Sequence, residues 1–294
     1  MVLSELSNGE IISEHLEMAL LFALIGTLTA WIAWKRRFFQ LSSYKKAPKI
    51  RHPLLALLIY VFLFVFATSF VIKFFYFIYS PLKTIFESHP PLLVGTAQVL
   101  SIIIIASFVT IFSAFQRRGV MEVIWKKDFT LLSALKDFGV GALAWLICFP
   151  LVACIDQIGE LLTFLLVGVT HLEQVAVRYV RLSAESPYLL TVALISTVLA
   201  APILEELIFR GFIYTYLKSK LGQFKALISS SLIFALFHFS PDQGIQNFTL
   251  IFTLFTLALF LAFLYEKKQS LIAPIALHMT FNSISVMRIV LFSS

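Results

Sequence analysis

The chain has 294 residues, of which 60% are hydrophobic and only 13% charged, with 31 phenylalanines and a mean hydropathy of +0.93. An ordinary soluble domain carries about 25% charged residues, so that class is excluded and an all-α, polytopic membrane protein is expected. The net charge of +7 would suit a nucleic-acid binder, but the Lys and Arg residues sit in short clusters between apolar runs; that is the distribution membrane topology produces, and no nucleic-acid partner is expected.

Residues 1–17 hold Glu5, Glu10, Glu14 and Glu17 and no Lys or Arg. A secretory signal begins with a basic region, so the first apolar segment is read as a retained helix. A spanning helix needs about 20 apolar residues. The runs 16–34, 54–72, 92–115, 138–155 and 270–292 meet that need. The run 248–265 is borderline and ends at Glu266-Lys267-Lys268. Cys148 and Cys154 lie in the fourth run and read as small buried hydrophobes. Residues 156–187 are a candidate for a re-entrant or interfacial piece. From 188 to 239 the chain is apolar but broken by charges, and it reads as two helices, 188–217 and 226–239, joined near Gly222. The total is a bundle of about eight transmembrane helices.

Loop charges orient such a bundle. Lys35, Arg36, Arg37, Lys45, Lys46, Lys49 and Arg51 make the 35–53 loop cytosolic, and the acidic N-terminus then lies outside. Alternation puts 116–137 (Arg117, Arg118, Lys126, Lys127, Lys136), 218–225 (Lys218, Lys220, Lys225) and 266–269 (Lys267, Lys268) on the same side. The 240–247 loop, with Asp242 alone, falls outside. No repeat and no linker is visible. One integrated membrane domain is expected, with helices in 1–187 that carry no recognised motif and a catalytic core in 188–294.

A charge within a span costs about 2.5–3.5 kcal/mol on insertion scales, so each one is a functional hypothesis. The densest group is Glu205-Glu206-Leu207-Ile208-Phe209-Arg210. Glu206 and Arg210 share a helix face, while Glu205 points about 100° away. One carboxylate can pair with the arginine as the other faces a cavity; an ion pair that merely locks the bundle fits the same residues. His238 ends the run Phe234-Ala235-Leu236-Phe237-His238, and His278 and Asn282 share a face of the last helix. At 1.5 Å per residue, Glu205 and His238 each lie about 20 Å from the basic ends of their helices. His278 lies about 15 Å and Asn282 about 21 Å from theirs. A shared depth is what a single site requires.

These segments resemble the EExxxR, FxxxH and HxxxN motifs of the CPBP family, which comprises CAAX prenyl endopeptidases and Abi-type proteins. Leu264-Tyr265-Glu266 and Ser270-Leu271-Ile272-Ala273-Pro274 also resemble the lead-in to its last motif. The resemblance covers about residues 190–290. It implies an eight-helix intramembrane endopeptidase. It implies that Glu205 and His238 activate a water and that His278 and Asn282 form the oxyanion site, with Glu206, Arg210 and Phe234 in support. The implied substrate is a membrane-associated peptide or protein, possible classes being a prenylated CAAX peptide or another lipid-modified one.

The chemistry stands without the family. Amide hydrolysis needs a base for water and donors for the oxyanion. There is no His-Glu-x-x-His, since His171-Leu172-Glu173 lacks the second histidine, and no Gly-x-Ser-x-Gly elbow. No cofactor is expected. The alternatives are a zinc enzyme using Glu205, His238 and His278, and a non-catalytic membrane protein, since Abi-type relatives are associated with bacteriocin immunity and scaffolding.

Overall fold

The computed structural model describes residues 7–41, 49–78, 88, 90–116, 124, 129–168, 175–184 and 186–292. Lys45, Lys46, Arg117, Arg118, Lys126, Lys127 and the His171-Leu172-Glu173 triplet lie outside the described residues.

The described residues form nine helices and no strand. They are α1 (Asn8–Lys35), α2 (Pro53–Ile78), α3 (Pro90–Gln116), α4 (Leu131–Val167), α5 (Val175–Ser183), α6 (Pro187–Leu221), α7 (Gln223–Phe237), α8 (Gln246–Lys268) and α9 (Ile272–Phe292). Seven are long and apolar enough to cross a membrane, which makes this an integral multi-pass protein. The eighth helix of the expected bundle is α7. Its 15 residues reach about 22 Å, short of a hydrocarbon core of about 30 Å.

Local signals set the ends. The Ser7 hydroxyl accepts from the Glu10 amide while the Glu10 carboxylate accepts from the Ser7 amide at 2.7 Å, a reciprocal cap that starts α1. Gly222, at φ 79°, separates α6 from α7 in a left-handed backbone that other residues rarely adopt. The joint expected there is a single residue wide.

Two expectations need correction. The span expected over 138–155 is the middle of a 37-residue helix, about 55 Å long. Asp156, Gln157 and Glu160 end the apolar run but do not end the helix, because they have partners: His15 of α1 meets Gln157 at 2.9 Å, and Glu160 is buried. Of the 156–187 stretch, residues 156–167 thus belong to α4, and α5 is a separate short helix. Lys218, assigned to a basic loop, lies inside α6 and is buried, with its ammonium 2.7 Å from Glu266 of α8. The Tyr214 hydroxyl donates to the same carboxylate at 2.7 Å. The neighbouring helix neutralises this lysine, so it carries little topological weight.

Helix α4 packs against α1, α8 and α9 and forms the spine of the bundle. Close approach is possible because Gly141 lacks a side chain; a Cβ there would run into the Ala273 carbonyl of α9. On the other side of the spine, α6, α7 and α8 enclose an aromatic core. Phe209 meets Phe234 edge-to-face at 5.0 Å, and Phe212 is also fully buried there. This core holds the backbones that carry the polar residues.

Candidate active site

The helix carrying the two glutamates is not regular. In α6, π-helical segments Ile195–Ala200 and Leu207–Tyr214 flank one α-helical stretch, Ala201–Glu206. Pro202 explains the first. It has no N–H, and its ring would press on the carbonyl four residues back, so the helix widens ahead of it. Glu205 and Glu206 end the α-helical stretch and are buried at 5% and 0% exposure, deep enough that each must answer for its charge.

Glu206 does so with two partners on one oxygen. Its Oε1 accepts from Arg210 at 2.8 Å and from His278 Nδ1 at 2.9 Å. Arg210 also donates to the Ala258 carbonyl at 3.3 Å, and its guanidinium lies 4.4 Å from the Phe234 ring centre. Phe234 is thus close to the arginine and to both imidazoles, whose ring centres are 4.8 Å (His238) and 6.0 Å (His278) from its own.

Glu205 faces differently. Its Oε2 is 3.9 Å from His238 Nε2 and 3.9 Å from His278 Nε2. These distances exceed a direct hydrogen bond and match the gap that one bridging water spans. The other nitrogen of each ring is already committed. His238 Nδ1 lies 2.9 Å from the Phe234 carbonyl, which can only accept, so Nδ1 carries the proton. The Glu206 carboxylate imposes the same tautomer on His278. Both Nε2 atoms are therefore turned toward one carboxylate oxygen. His238, at the C-terminal end of α7, has a side chain 29% exposed, and it is the open side of the group.

Asn282 lies one turn beyond His278 and donates from Nδ2 to the Thr197 carbonyl of α6 at 2.8 Å. Its second amide hydrogen has no partner among the described residues. Thr197 and Pro202 escaped the sequence reading. Pro202 was visible as a proline inside an apolar run, whereas a backbone carbonyl leaves no mark in a sequence. Tyr60 of α2 was missed as well. It is 2% exposed and packs on Phe209 and Phe237 at 6.5 and 5.6 Å, so the motif-free half supplies part of the wall.

The described residues are not arranged as a zinc set. A tetrahedral zinc with bonds of about 2.0–2.1 Å holds its ligand atoms about 3.4 Å apart. The 3.9 Å separations are wider than that. Among the described residues no group of three or more His, Cys, Asp or Glu is arranged to hold a metal ion.

Residues 187–284 match the family model described as type II CAAX prenyl endopeptidase Rce1-like. That match supports the CPBP/CAAX protease family for this segment of the chain. No curated protein and no solved structure is a match for it. The matched segment runs from the start of α6 into α9 and contains Glu205, Glu206, Arg210, Phe234, His238, His278 and Asn282. It leaves out α1–α5. The protein is an intramembrane protease, and as a membrane-embedded enzyme it acts on membrane-associated substrates.

Proposed function

We propose that this protease hydrolyses peptide bonds by a glutamate-activated water, with Glu205 as the base. The single observation that carries this reading is the convergence of two Nε2 atoms on Glu205 Oε2 at 3.9 Å. A water in that gap donates one hydrogen to the Glu205 carboxylate and the other to His238 Nε2. Glu205 takes the proton as the water oxygen bonds to the scissile carbonyl carbon. The negative charge moves onto the carbonyl oxygen. There Asn282, through its free hydrogen, and His278 form the oxyanion site. Glu206, against Nδ1, holds the His278 ring in place. The C–N bond then breaks as Glu205 returns its proton to the leaving nitrogen. The family description makes a prenylated peptide the first substrate class to test, followed by other lipid-modified membrane peptides.

Loss of one oxyanion donor lowers turnover about 10²–10³-fold. Asn282→Ala should therefore slow kcat by roughly that factor with KM little changed. The wild type should keep its activity in a strong chelator. Activity lost to chelation and restored by zinc, with Asn282→Ala nearly normal, would overturn the water mechanism in favour of a metal.

The basic clusters support a cytosolic 35–53 loop and an external N-terminus. The assignment rests on Lys35, Arg36, Arg37 and their neighbours, because Lys218 is neutralised within the bundle. Single cysteines at Ser7 and Ser43 should react with an impermeant thiol reagent from opposite sides of the membrane. Reaction from one side only would break this topology.

A further inference from the structure

Asn282 is anchored by a backbone acceptor that the helix itself no longer uses. The Thr197 carbonyl has lost both of its helical donors. In an α-helix its partner is the Ala201 amide, but that N–H donates to Ser196 instead. In a π-helix its partner is residue 202, which is proline and has no N–H. The Thr197 hydroxyl is turned away, donating to the Ala193 carbonyl at 2.7 Å. A bare carbonyl in a membrane bundle needs a donor, and Asn282 Nδ2 supplies it from α9 at 2.8 Å.

We infer that Pro202 is a positioning residue of this protease: by opening α6 at Thr197 it creates the acceptor that holds the Asn282 amide, with one N–H anchored and the other presented to substrate. The inference rests on the oxyanion reading of Asn282 for its catalytic consequence, but the anchor itself does not. A proline three residues ahead of Glu205 thus couples the two halves of the site through one helix. Without it the Ala201 amide can return to Thr197. Closing the π segment then turns residues 195–200 by about 100° relative to Glu205, since each α-helical residue advances by that angle. The Asn282 amide loses its acceptor and its aim.

The test is a cycle of Pro202→Ala, Asn282→Ala and the double variant in the full-length protein, read in melting temperature and in kcat and KM separately. Asn282→Ala should lower the melting temperature in the wild-type helix, because it strands the Thr197 carbonyl. It should lower it much less with Pro202→Ala present. Pro202→Ala should reduce kcat about 10²-fold at near-constant KM, and the double variant should be no slower than Asn282→Ala. Independent, multiplicative effects on kcat would overturn the proposal. So would an Asn282→Ala protein that melts like wild type, a result that stands even if Pro202→Ala does not fold. Coupled melting temperatures with Asn282→Ala fully active would leave the anchor in place and sink the oxyanion reading instead.

Discussion

Glu205→Gln is expected to abolish cleavage while the protein stays folded. The substitution keeps the shape of the side chain and removes its capacity to take a proton. General-base catalysis contributes about 10²–10⁴ in rate, so turnover should drop by at least the lower figure. The fold should survive because no hydrogen bond to the Glu205 side chain is lost: its nearest charged-group partners, His238 and His278, stand 3.9 Å away. Melting temperature, measured beside kcat on a peptide substrate, checks both halves. A Glu205→Gln protein that turns over at the wild-type rate would remove the base from the mechanism.

Glu206→Gln should behave in the opposite way, with instability leading. Arg210 and Glu206 are 1% and 0% exposed and 2.8 Å apart. Removing one member of a buried pair leaves the other charge uncompensated, at about 3–5 kcal/mol. Melting temperature should fall clearly. Adding Arg210→Met should recover part of that loss, because an apolar pair of similar volume is often as stable as the buried ions it replaces. The recovered protein should still be slow. His278 would lack the carboxylate that holds its ring in place, and the oxyanion site would be disturbed. If Glu206→Gln proves stable but inactive while Glu205→Gln still cleaves, the roles of the two glutamates are the reverse of those argued above.

These two neighbours were separable in the sequence only by the arginine four residues on. Helical spacing put Glu206 and Arg210 on one face, and the 2.8 Å contact agrees. The second partner of Glu206, His278, is 72 residues distant in sequence, and no periodicity connects them. The division of labour between the two Glu206 oxygens was equally illegible. Oε1 makes both bonds and Oε2 none, which is decided by where α9 packs against α6. The end of the fourth span was misread for a related reason. Asp156 and Glu160 look like residues that leave the membrane, yet α4 runs on to Val167.

The sequence by itself determined the solvent, the spans and the residues worth asking about. Lipid makes every buried charge expensive, so Glu205, Glu206, Arg210, His238, His278 and Asn282 stand out from an apolar background without any structure. Tertiary structure alone decided how those groups face one another. Which ring nitrogen of each histidine is free depends on the Phe234 carbonyl and on Glu206. What Asn282 holds depends on a carbonyl 85 residues earlier in the chain, exposed because Pro202 forces α6 out of its regular 3.6-residue turn. A pattern argument assumes that turn throughout. It finds the polar residues correctly and loses their directions at the place where the helix departs from it.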